Sequence, residues 1–218
     1  MNLKYVLILI FYLLFIINSG YGKKLNKLIG GGVAYVDEFP FLVSIRWMNE
    51  HVCCGSIISP THIVTTASCV TSADKSIIYG NLQVLSGSNN QNYQQGHGNI
   101  NDVATVIIHP DYLPRQFWAN DISILKLSKQ LIFSPICRQV ILPPPSTSHQ
   151  YNKLRLISYE QFQTGQLISQ LYVKLSSRSV CSDLCREYGR IHPAQHCIKT
   201  QYERQTIDNA STKIKDKN

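Results

Sequence analysis

The side chains best suited to chemistry by type and interval fall late in the chain. Cys181, Cys185, His192 and His196 form a Cys-x3-Cys-x6-His-x3-His series. Thiolates and imidazoles at such intervals are zinc-ligand types. Three features weigh against a metal centre. Pro193 interrupts any helix that would set both histidines on one face. The intervening stretch is shorter than zinc fingers use. The chain also opens with a secretory leader, which directs cysteines toward disulfides. No metal and no cofactor is therefore expected. Seven cysteines in 218 residues imply disulfides, and the odd number leaves at least one thiol unpaired or joined to another chain.

The leader is read over residues 1–22. Lys4 gives the positive start, Val6 to Ile17 is unbroken apolar sequence, and Gly20-Tyr21-Gly22 offers small residues for cleavage. The apolar run is short of the roughly 20 residues a bilayer core requires, so it is read as a signal for secretion. The expected localisation is extracellular, with no membrane partner. The formal charge is +8, but the cations are scattered among strand-like segments. Without a basic stripe there is no nucleic-acid reading. Asn209-Ala210-Ser211 makes Asn209 a candidate glycosylation site.

The elements that must position any site read as β-strands. Phe39 to Trp47, Ser56 to Ile58, Ile63 to Thr66, Leu82 to Leu85, Val103 to Ile108 and Ile122 to Leu127 are short and rich in β-branched residues. Asn89 to Asn101 is polar and reads as a loop. Leu142 to Ser148, with three prolines, reads as a linker. Strand character resumes over Leu154 to Ser158 and Leu167 to Leu175, and Ser179 to Tyr188 fits a short helix ahead of Gly189. From Lys199 the chain is polar and reads as a disordered tail. Two β-rich halves across a linker point to two small barrels.

Four segments in order resemble the chymotrypsin/trypsin family of serine proteases (peptidase S1). They are Lys27-Leu28-Ile29-Gly30-Gly31 with Glu38-Phe39-Pro40-Phe41-Leu42-Val43-Ser44-Ile45; His51-Val52-Cys53-Cys54-Gly55-Ser56; Ile63-Val64-Thr65-Thr66-Ala67-Ser68-Cys69; and Asn120-Asp121-Ile122-Ser123-Ile124-Leu125-Lys126-Leu127. His109-Pro110-Asp111-Tyr112 adds a fifth echo, and the variation resembles insect members. The resemblance implies an all-β, trypsin-like double β-barrel, with a near-complete first barrel over 28–141 and a truncated second barrel over 150–198. It also implies a pro-segment at 23–27 and an activation cleavage between Lys27 and Leu28. A polar tail would follow at 199–218.

The same resemblance shows what is missing. The family mechanism needs an attacking serine, a histidine base, an aspartate that orients it and a backbone oxyanion hole. Asp121 matches the aspartate, but the histidine position holds Ser68. A serine hydroxyl does not titrate near neutrality and cannot serve as the base. Within the 218 residues no glycine follows Gly189, so the Gly-Asp-Ser-Gly-Gly turn that carries nucleophile and oxyanion hole is not matched. Losing nucleophile or base costs about 10⁶ in turnover in a serine protease. His62, near the lost base in sequence, matches a structural position.

The resemblance pairs Cys53 with Cys69 and Cys185 with Cys197. Cys181 lies one helical turn from Cys185 on the same face and is able to take its place. Cys54, Cys137 and Cys181 cannot all pair internally. The expected function is that of a secreted, catalytically inactive homologue, a regulator or decoy in an extracellular protease cascade. Its expected partners are proteins: proteases, their cofactors or their substrates. The alternative is a serine endopeptidase whose sequence is cut short. That would account for the unmatched nucleophile but not for Ser68.

Overall fold

A computed structural model describes residues 31–91, 97–142, 154–162, 165–186, 191–192 and 195–200. Strands β2 (Leu42–Trp47), β3 (Glu50–Ser59), β4 (His62–Thr65), β5 (Gln83–Ser86), β6 (Asn99–Ile108) and β7 (Ser123–Leu127) close into an antiparallel barrel in the order β2-β3-β4-β7-β6-β5. Inward positions alternate along each strand, as the two-residue period requires. Val43, Ile45, Ile57, Ile63, Val84 and Leu125 meet with no exposed surface. Gly55 is required by this closeness, because a Cβ there would lie 2.7 Å from Cγ2 of Ile63.

The connections follow from local chemistry. β2 turns into β3 through Met48 and Asn49, both at positive φ (48° and 65°), with Trp47 opposite Glu50. That is the two-residue hairpin whose twist matches the strands it joins. β6 begins at Asn99, earlier than the loop expected through Asn101. The polar residues there extend a strand that β5 pairs from Ser86 to Gln83.

The second unit is an open sheet. β9 (Gly165–Leu175) pairs along its length with β8 (Leu154–Phe162), and its other edge holds β1 (Gly32–Ala34) and β10 (Ile198–Thr200). β1 thus leaves the segment assigned to the first barrel and joins the second sheet. β10 likewise carries two residues of the expected polar tail. Helix α1 spans Arg178–Leu184, starting one residue earlier and ending sooner than the sequence reading. A second core of Ala34, Val36, Phe39, Leu42, Tyr159 and Ile168 packs between sheet and barrel. The architecture is all-β, a closed barrel with a second sheet. The leader, Lys27, Leu28, most of the 142–148 linker and Asn209 lie outside the described residues.

Candidate functional site

β4 and β7 pair antiparallel, with Thr65 opposite Ser123, so the residue after one strand and the residue before the other meet at the same barrel end. The chain leaves β4 in an extended Thr66 and tightens into a 3-10 turn over Ala67–Cys69. The Thr66 carbonyl accepts the Ser123 hydroxyl at 3.1 Å, and the Cys53–Cys69 disulfide ties the turn to β3. Closing that 16-residue separation is worth about 3 kcal/mol. Ser68 and Asp121 face each other across this end.

The Ser68 backbone N–H donates to Asp121 Oδ1 at 2.7 Å, and its hydroxyl donates to Oδ2 at 2.7 Å. One residue therefore takes both carboxylate oxygens. Such charge-assisted bonds are about twice as strong as neutral ones, so the pair is a closed electrostatic unit. It joins a hydroxyl to a carboxylate and includes no imidazole. Three histidines of the barrel are engaged elsewhere. His51 Nδ1 lies 2.7 Å from the Ser44 hydroxyl, His62 Nδ1 engages Ser59 and Thr61, and His109 Nδ1 accepts the Asp111 N–H.

A second polar cluster, missed in the sequence, lies in the seam between barrel and sheet. Neighbouring strand residues point to opposite faces, so Cys53 packs on the barrel core while Cys54 faces the second core. The Cys54 sulfur lies 3.6 Å from the Ser158 hydroxyl and accepts the Tyr159 N–H at 3.5 Å. The Tyr159 hydroxyl donates to the Ser88 carbonyl at 2.8 Å. Burial pushes the Cys54 thiol and the Tyr159 phenol up. Burial, with the nearby Arg46 charge, holds His51 down to about 4. Arg46 itself is 3% exposed, donates to the Asn49 carbonyl and leaves Nε and Nη1 without partners among the described residues. The available signal was Ser44 and Arg46 on the face of β2 opposite Val43 and Ile45.

The cysteines need one correction. Cys181, not Cys185, is bonded to Cys197. Cys181 is buried on the inner side of α1, whereas Cys185 caps the helix end and is half-buried with a free thiol. Cys54 and Cys137 are the other free thiols among the described residues. The three sulfurs of Cys181, Cys185 and Cys197 lie within 4.8 Å of one another; two are committed to the disulfide, and His192 and His196 do not join the group. Among the described residues no helix is long and apolar enough to cross a membrane.

A closed six-stranded barrel packed on a second antiparallel sheet, with an aspartate at the β4–β7 end, is the trypsin-like architecture. The trypsin family profile matches residues 28–210, and the chain belongs to that family. It is 31% identical over 178 residues to hypodermin-B of Hypoderma lineatum, covering 79% of this chain and 66% of that protein. It is 27% identical over 168 residues to trypsin delta of Drosophila melanogaster, covering 75% and 63%. Ovochymase-2 of Mus musculus is 27% identical over 127 residues, covering 58% and 20%. The chain thus spans no more than 66% of the length of these three relatives.

Proposed function

We propose that this chain is a trypsin-family homologue that acts by binding and does not cleave peptides by the family mechanism. The observation that carries the reading is Ser68 at the histidine position, with its amide and hydroxyl both spent on Asp121. Even if further chain supplied a nucleophile, no imidazole would stand between it and Asp121 to take its proton. The apolar leader, read as a secretion signal, and the disulfides support a binding role outside the cell. There the partners would be proteases, their cofactors or their substrates, engaged as a regulator or decoy.

The test is made on the purified chain after cleavage behind Lys27. Tested as the 218-residue chain, neither the wild type nor Ser68→His should hydrolyse trypsin-, chymotrypsin- or elastase-type substrates above a blank, because the variant restores a base while no glycine follows Gly189 in those residues to build a nucleophile turn. Neither should react with a fluorophosphonate probe. Saturable labelling of the wild type at a single serine would sink the reading.

A further inference from the structure

Three sulfurs meet at the C-terminal end of α1 with one bond among them. Cys181 and Cys197 are joined, and the Cys185 thiol lies within 4.8 Å of both bonded sulfurs. The sequence brings them together in two ways. Cys181 and Cys185 are one turn apart on one helix face, and the Cys185 N–H donates to the Cys181 carbonyl at 3.1 Å. Cys197 arrives as the chain enters β10, where its carbonyl accepts the Ser176 N–H at 2.8 Å. The anchoring is on the backbone, so side-chain rotation alone changes which sulfurs touch.

We propose that this cluster is a thiol–disulfide exchange site, in which Cys185 attacks the Cys181–Cys197 bond and the disulfide moves between the two helical cysteines. The Cys185 thiol loses its proton to solvent, and the thiolate attacks the Cys197 sulfur. The Cys185–Cys197 bond forms as the Cys181–Cys197 bond breaks, and the electron pair leaves on Cys181, which takes a proton from solvent. One disulfide and one thiol stand on each side, so no oxidant or reductant is consumed. The new loop is shorter by one helical turn, and chain entropy shifts the balance by less than about twofold. Local fit at the helix end therefore sets the ratio. Its consequence is exposure: the free thiol is half-buried when it resides on Cys185, and buried when it resides on Cys181. Exchange thus withdraws a reactive thiol from, or offers it to, mixed-disulfide partners.

The full chain is held at mildly alkaline pH for increasing times, quenched with acid and alkylated without reduction. Proteolysis before Asp183 then separates the Cys181 and Cys185 peptides. Label should appear on both residues, the Cys181 share rising with time while their sum stays at one thiol per chain. Cys181→Ser should retain a Cys185–Cys197 bond, and Cys185→Ser a Cys181–Cys197 bond. Label confined to one residue at every time overturns the proposal, whether or not either variant folds. So does simultaneous labelling of all three cysteines that added zinc suppresses, which would make the cluster a metal site.

Discussion

In the barrel, every strand from β2 to β7 has hydrogen-bonded neighbours on both sides, and its core excludes water at seven aliphatic positions, Val70 joining the six named above. In the second sheet, β8 is bonded only to β9 among the described residues. Its core is finished by residues borrowed from the barrel side, Phe39 and Leu42. A closed ring satisfies its own backbone, whereas an open sheet depends on what it leans against. The stability of the second unit is therefore expected to reside in the seam, where Cys54, Ser88 and Tyr159 meet.

The most severe way to test this contrast is to empty one position in each core. Leu125 and Ile168 are both fully buried, so truncating either to alanine removes comparable apolar volume, at a cost of about 2–5 kcal/mol. Leu125→Ala should fall at the upper end and lower hydrogen-exchange protection throughout the molecule. Ile168→Ala should fall at the lower end and release β8 and β9 while amides of β2 to β7 stay protected. Equal loss of barrel protection in both variants would show that the two units unfold as one.

Legibility in the sequence followed the same division. The barrel strands announced themselves through β-branched runs between turn residues, and Ser68 and Asp121 could be located because both lie inside segments that resemble a family. The seam was not legible. Ser44, His51 and Cys54 lie inside family-like segments that assign them no role, and Tyr159 is 105 residues beyond Cys54; only β-pairing and sheet packing bring them together. β1 was missed for a related reason, since three residues beginning with glycine give no periodicity. The Cys197 pairing turned on which of two cysteines a turn apart faces inward. Helical spacing alone leaves that choice open.

Acid probes the seam more gently than a cavity does. His51 is held down to about 4, first by burial and then by the Arg46 charge, whereas an exposed histidine titrates near 6.5. The folded state thus refuses a proton that the unfolded chain accepts. Stability should be complete above about pH 6.5, fall as pH drops toward 4, and level off below, with a total loss on the order of 3 kcal/mol. Urea midpoints measured across that window check it. His51→Gln should flatten this limb of the profile; a wild-type midpoint unchanged between neutral pH and pH 4 would place His51 in contact with solvent.

The smallest expected effect isolates a single bond across the seam. The Tyr159 hydroxyl donates to the Ser88 carbonyl at 2.8 Å in a buried setting, joining β8 to the chain that follows β5. Tyr159→Phe keeps the ring and its packing but leaves that carbonyl without its donor, which costs about 1 kcal/mol and up to about 3 if water cannot reach it. Because the lost bond bridges the two units, the loss should appear as faster exchange of β8 amides, with β2 and β7 unchanged. The wild type supplies an independent check, since burial raises this phenol above the usual tyrosine range. In an alkaline spectrophotometric titration Tyr159 should ionise late, as should Tyr112, which burial also raises, and Tyr159→Phe should remove the Tyr159 step. If the step survives, or if β7 loosens along with β8, the hydroxyl does not hold the sheet to the barrel.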